Sequence, residues 1–196
     1  MEFLQMNHIS KKFGEAEANK NVTISIEKGE IHALLGENGA GKSTLMNILY
    51  GMYRQTEGEI YLEGKKLNLS SPQDAIQRGI GMVHQHFMLI PAQSVIENVV
   101  LGLKENKAVL DLKAAAKKLK KLAETFHMEI NPWEKVANLS IGEQQRVEIL
   151  KALFRGARLL ILDEPTAVLT PQEAEGLFDI LRKLKKEGCT IIFISH

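Results

Sequence analysis

Cys189 is the only cysteine in the sequence. With no partner for an internal disulfide, it excludes a disulfide-stapled scaffold and fits a reducing compartment, with the cytoplasm as the default. Excess charge is lacking too. Lys and Arg total 25 against 24 Asp and Glu, a net charge of +1, so no global basic field draws the chain to nucleic acid. Such a partner would need a local patch. No stretch approaches the roughly 20 apolar residues of a membrane-spanning helix. The opening MEFLQMNHIS lacks the basic region and apolar run of a secretory leader. Internal repeats, low-complexity tracts and an obvious linker are also missing. What is present is an ordinary globular composition, 44% hydrophobic and 25% charged, with length for one sizeable domain and a small subdomain.

Short β-like runs alternate with longer helical patterns, which places the chain in the α/β class. VTISIEKGEIHALLG reads as an alternating strand through Val22, Ile24 and Ile26, a turn at Lys28-Gly29, and a buried strand running into Gly36. EGEIYLEGKKLNL reads as an antiparallel hairpin turning near Gly64. Across residues 111–126, Leu112, Leu119, Leu122 and Phe126 share one helical stripe, while Lys113, Lys117, Lys118, Lys120 and Lys121 lie mostly away from it. That lysine face reads as solvated rather than as a nucleic-acid patch. RLLILDEP and CTIIFISH are continuously apolar, as strands of a parallel sheet covered on both faces should be.

The firmest local signal is GENGAGKS, residues 36–43, between an apolar strand and the helical run TLMNILYG. It fits the phosphate-binding pattern G-x-x-x-x-G-K-[ST] in the strand–loop–helix context the pattern requires. Gly36, Gly39 and Gly41 let the backbone curl tightly, so that N–H groups of Gly36, Glu37, Asn38, Gly39, Ala40, Gly41 and the helix start at Lys42, Ser43 and Thr44 form the nucleotide cradle. Lys42 would reach the β- and γ-phosphates, and the Ser43 hydroxyl would hold Mg²⁺. A second carboxylate is needed for that metal, and Asp163 follows the four aliphatic residues 159–162. Glu164 beside it is the candidate to orient or deprotonate the attacking water. His8, His84, His86 and His127 show no metal-ligand spacing.

A second phosphate-type signal lies far downstream. LSIGEQQRVEIL, residues 139–150, sets Ser140 and Gly142 at an apparent helix start. In its motif order the chain resembles the ATP-binding cassette family of ATPases, with Leu139, Ser140, Gly142, Glu143 and Gln144 matching the family signature just upstream of LLILDEP. Gln85 in MVHQHF is similar to the family's glutamine-loop residue, a candidate for the Mg²⁺ and water shell, and His196 in FISH to its switch histidine. Phe13 sits where relatives place an aromatic ring against adenine, although it could equally be core. LLGENGAGKSTLM, MVHQHFMLIPAQSVIENVVLG and LLILDEPTAVLTPQE most resemble the ATPases of bacterial sugar and nucleoside importers.

The resemblance implies a RecA-like parallel core with an antiparallel β subdomain, residues 1–86 and 154–196, and a helical subdomain at 87–153. It implies Mg-ATP as cofactor, and ATP hydrolysis coupled to uptake of a sugar or nucleoside. The site pairs head-to-tail with a second cassette, whose nucleotide meets Ser140, Gly142 and Glu143. Importer ATPases of this kind usually fuse two cassettes in one polypeptide. They sit peripherally on the cytoplasmic face of the membrane against permease subunits, served indirectly by an external solute-binding protein and using no nucleic acid. Family cassettes continue for several elements beyond the position of His196, so the sequence reads as a fragment. Soluble cassettes of translation or DNA repair usually carry long coiled-coil or basic insertions, which this sequence lacks. A non-hydrolysing switch is disfavoured by the Asp163–Glu164 pair. One departure stands out: Thr170 occupies the position where many cassettes carry a D-loop aspartate, although importers of this subgroup often share the change.

Overall fold

The computed structural model describes residues 2–103 and 111–195. Two four-stranded sheets organise it. β1 (Glu2–Phe13) and β2 (Ala16–Glu27) form a hairpin, and β1 pairs on its other edge with β4 (Glu57–Leu62), which turns back into β5 (Lys65–Leu67). The order β2-β1-β4-β5 is antiparallel throughout. At the β4–β5 turn Glu63 and Gly64 both take left-handed backbone, φ 50° and 74°. That pairing matches the twist of two antiparallel strands and explains the legible hairpin.

The second sheet is parallel, in the order β3 (Ile31–Leu35), β8 (Thr190–Ser195), β7 (Leu159–Asp163), β6 (Ile80–Val83). Helices α1 (Lys42–Leu49) and α2 (Pro72–Gln77) lie between β3 and β6 in the chain. Next come α3 (Val95–Val100), α4 (Leu112–Thr125), a 3-10 turn at Val136–Asn138 and α5 (Ile141–Phe154). α6 (Pro171–Lys186) joins β7 to β8.

The continuous apolar runs have a direct explanation in the two cores. Leu160, Leu162 and Ile191 face a core shared with α3, α4, α5 and α6. Their neighbours Leu159, Ile161, Ile192 and Ile194 face a second core with α1 and the antiparallel sheet. Each residue is buried whichever side it points to, so no polar alternation survives. Helices α3, α4 and α5 pack on one another, with Val95, Ile96, Val99, Leu119, Val147 and Leu150 buried together. The lysines of α4 are exposed, and Lys118 stacks its ammonium 4.5 Å from the Phe154 ring.

The expectation of a buried strand running into Gly36 needs correction. β3 is only partly covered, Ala33 is exposed, and Leu35 is 66% exposed. The reason is position: β3 is an edge strand, with β8 as its only neighbour among the described residues. An apolar run signals strand, but its burial depends on what lies beside it.

Candidate functional site

The parallel register aligns the carboxyl ends of the strands. Leu35 pairs with Ser195, Asp163 with Ile194, and Val83 with Leu162, so the loops after β3, β6 and β7 leave from one edge of the sheet. This is the edge where ligands bind in open α/β sheets. Residues 36–41 form the loop after β3. Gly39 and Gly41 hold φ of 82° and 84°, and Gly41 is the residue immediately before α1.

At Gly41 the glycine requirement is doubly determined. A Cβ there would stand 2.2 Å from the Ala18 carbonyl oxygen, and the Asn19 side-chain amide donates to the Gly41 carbonyl at 3.1 Å. The antiparallel sheet therefore buttresses the phosphate loop through β2. The loop closes on itself where Ala40 N–H donates to the Glu37 carbonyl, leaving Glu37, Asn38, Gly39 and Ala40 exposed at its rim. Lys42 is buried, and its ammonium donates to the carbonyls of Gly36 and, at 2.9 Å, Glu37. Ser43 is exposed, with Thr44 behind it half-buried.

Every other described helix, α2 to α6, has a side chain that accepts from its opening N–H groups. α1 alone has none, because glycine stands at its cap. Its first-turn donors and its positive dipole end are left to an external acceptor, the arrangement that binds phosphate.

Opposite the loop, Asp163 ends β7. The Ser43 hydroxyl donates to Asp163 Oδ1 at 3.5 Å, which brings together residues 120 positions apart. Burial pushes the Asp163 carboxyl above its ordinary value, and the Glu164 charge adds to this against weaker opposition from Ser43, His84 and Lys42. Glu164 itself has φ 47°, a left-handed conformation uncommon for this residue type, and its N–H donates to the Ile194 carbonyl at 3.1 Å. The backbone thus turns sharply at the second acid. Two adjacent carboxylates, one half-buried and resisting ionisation, next to a hydroxyl form an oxygen-rich set suited to a hard divalent cation.

Gln85 is exposed two residues beyond β6. The segment after it is fixed from both sides. Met88 N–H donates to Glu148 Oε1 at 2.8 Å, Lys151 donates to the Met88 carbonyl at 3.2 Å, and the Asn98 side chain bonds both the N–H and the carbonyl of Ile90. His84, Tyr50, Met88, Glu148, Lys151 and Arg155 line a cavity of about 180 Å³ beneath it. Burial holds the His84 pKa below its usual value.

Phe13 is not a core residue. It is 44% exposed, stands edge-on to Tyr53 with ring centroids 5.2 Å apart, and carries the Lys11 ammonium 4.8 Å from its ring. Tyr53 had no signal in the sequence. His196 lies outside the described residues.

Ser140 caps α5: its hydroxyl accepts from Glu143 N–H, and the Glu143 carboxylate accepts from Ser140 N–H at 2.8 Å. The side-chain hydrogen bonds of Ser140 and Glu143 stay within this capping box, and among the described residues none reaches the phosphate loop. Gly142 is buried, and a Cβ built on it would stand 2.7 Å from Glu173 Oε1. Reading the sequence missed Glu173. Its signal was available as T-x-x-E over residues 170–173, a capping-box pattern.

A family model described as ABC transporter matches residues 19–167. The nucleoside import ATP-binding protein NupA of Lactococcus lactis is 54% identical over 98% of this chain and 38% of its own length. The glucose import ATP-binding protein TsgD13 of Haloferax volcanii is 52% identical over 99% of this chain and 40% of its own length. The chain therefore spans about two fifths of these curated relatives. Among solved structures, the ADP conformation of MJ1267, an ATP-binding cassette of an ABC transporter, matches with TM-score 0.88 at 30% identity, covering 100% of this chain and 82% of that one. The dimeric post-hydrolysis state of the cassette MJ0796, bound to ADP and Pi, matches with TM-score 0.81 at 32% identity, covering 98% of this chain and 88% of that one. The fold is that of a P-loop nucleotide-binding cassette, and the chain belongs to the ABC transporter family.

Proposed function

We propose that the chain binds ATP with Mg²⁺ and hydrolyses it to drive an importer for a sugar or a nucleoside. The observation that carries this is the meeting of Ser43 with Asp163 across the sheet edge, below a glycine loop and an uncapped helix. Gly36, Gly39 and Gly41 shape the loop, and the N–H groups of residues 36–44 hold the phosphates. Lys42 exchanges the loop carbonyls it now serves for phosphate oxygens. Ser43, Asp163 and Gln85 are the residues that would hold Mg²⁺, which supplies charge neutralisation at the β- and γ-phosphates when bound. Glu164 orients water at its carboxylate. Phe13, on its exposed face, offers a surface for adenine, and His196 would contact the γ-phosphate.

The second anion site, at Ser140, Gly142 and Glu143, serves the nucleotide of a partner cassette in a head-to-tail pair. One helix end contributes only about 0.3–1 kcal/mol to an anion, up to about 2 kcal/mol when partly buried. A charge clamp delivered by a neighbouring molecule accelerates phosphoryl transfer by about 10³ to 10⁵, or roughly 4–7 kcal/mol. That difference favours a composite site. Residues 87–153 act as the helical subdomain that carries α5, and the remainder acts as the nucleotide-binding core. The partners are a second cassette in the same full-length polypeptide, permease subunits on the membrane's cytoplasmic face, and indirectly an external solute-binding protein. No helix among the described residues is long and apolar enough to cross a membrane, so attachment through the permease accounts for the peripheral position.

Phosphate release by the full-length protein tests the reading. Glu164→Gln is expected to abolish turnover while ATP binding persists, and equal rates for the two proteins would refute hydrolysis at this site.

A further inference from the structure

The Glu173 carboxylate touches the starts of two helices at once. Its Oε2 accepts from Thr170 N–H at 3.0 Å and from the Thr170 hydroxyl at 2.9 Å, which closes the cap of α6. Its Oε1 lies against Gly142 on the first turn of α5, in the space a Cβ would fill. The carboxyl is held below its ordinary value by the Thr170 backbone and hydroxyl first, with smaller contributions from Gly142 N–H and the Arg146 charge. A second tie joins the same two segments. The buried Gln145 amide donates to the Pro165 carbonyl, one residue beyond Glu164, at 2.6 Å. Glycine at 142 thereby gains a reason that its backbone does not give: any side chain would displace the carboxylate.

We infer that Glu173 is a positioning residue, which locks the Ser140–Gly142 end of α5 to the segment leaving the Asp163–Glu164 pair, so that this chain's contributions to its own site and to its partner's site move as one unit. This rests on the reading of α5 as the clamp for a partner cassette's γ-phosphate. Thr170 caps α6, and the carboxylate three residues later reaches back to Thr170 while its other oxygen remains for α5.

The substitution Glu173→Gln isolates this role, because glutamine also completes a capping box. Its amide has a single accepting oxygen, so it can place that oxygen against Thr170 N–H or against the first turn of α5 at Gly142, not both. Three quantities are measured on the full-length protein: thermal midpoint, MgADP affinity, and hydrolysis as a function of ATP. ADP lacks the γ-phosphate and therefore reports on the phosphate loop alone. Glu173→Gln is expected to leave the midpoint and the MgADP affinity close to wild type while kcat falls roughly tenfold, as for loss of a charge-assisted hydrogen bond. Glu173→Asp, too short to span both helices, is expected not to restore kcat. An unchanged kcat would overturn the proposal. So would MgADP binding weakened in proportion to kcat, which marks a general folding defect. Tighter use of ATP by Glu173→Gln would overturn it too, and would make the carboxylate a competitor of the phosphate. Ser140→Tyr separates the levels: if it leaves hydrolysis intact, the clamp reading falls and this inference with it. If it impairs hydrolysis while Glu173→Gln does not, only the role of Glu173 falls.

Discussion

Gly41 is fixed by two independent constraints, a left-handed backbone at φ 84° and a carbonyl oxygen of Ala18 in the place of a side chain. Gly41→Ala should therefore cost about 2 kcal/mol or more and abolish MgADP binding, checked by urea denaturation and nucleotide titration. Asp163 carries the opposite kind of strain. Its pKa is raised in the fold above 3.8, so the native state keeps the proton to higher pH than the unfolded chain. The resulting penalty is absent below the unfolded value and complete once pH exceeds the native one. Asp163→Asn should then raise the thermal midpoint at pH 7.5 by about 2 °C, a modest figure because the group is half exposed, with the gain shrinking toward acid pH. The same substitution is expected to remove Mg²⁺-dependent turnover. Cys189, buried with its thiol pushed up to about 12, should resist iodoacetamide at pH 8 in the native protein and react only in denaturant; labelling of the folded protein would contradict this.

At the scale of elements, β7 and β3 make a controlled comparison. Leu160 is fully buried in the core beneath α5 and α6, whereas Leu35 stands exposed on the sheet edge. Leu160→Ala should destabilise by about 3 kcal/mol and Leu35→Ala by less than about 0.5 kcal/mol, read from denaturant midpoints. Both leucines belong to apolar runs of the same appearance, so composition alone could not separate them. The helices were more legible. Asp111 and Ser140 cap α4 and α5 where the sequence placed their starts, because N-capping is a local interaction between neighbours in the chain. The phosphate loop was legible for the same reason, its pattern specifying a turn and a helix within eight positions. The contacts of Asn19 with Gly41 and of Glu173 with Gly142 were not, since each joins residues far apart in sequence.

For the whole molecule, the composite site predicts a dependence on association. If each γ-phosphate needs a phosphate loop from one cassette and an α5 start from another, the specific activity of a cassette acting as a separate chain should rise with its concentration. Mixing Lys42→Ala cassettes with Ser140→Tyr cassettes should restore about a quarter of the wild-type rate, because only mixed pairs hold an intact site, and only one each. A specific activity constant down to monomeric dilution, or no recovery on mixing, would place the whole reaction within one chain.

The sequence by itself determined what depends on neighbours along the chain: the strand and helix types, the turn at Glu63-Gly64, the glycine-rich loop with Lys42 and Ser43, and the acids at the end of an aliphatic run. Folding decided what depends on neighbours in space. It set Ser43 across from Asp163, left β3 on the edge of the sheet, exposed Phe13 beside Tyr53, and brought Glu173 to the start of α5. The division has one physical cause. Hydrogen-bonded turns, caps and periodic burial act over a few residues, whereas the cores that align the strand ends join segments more than a hundred residues apart.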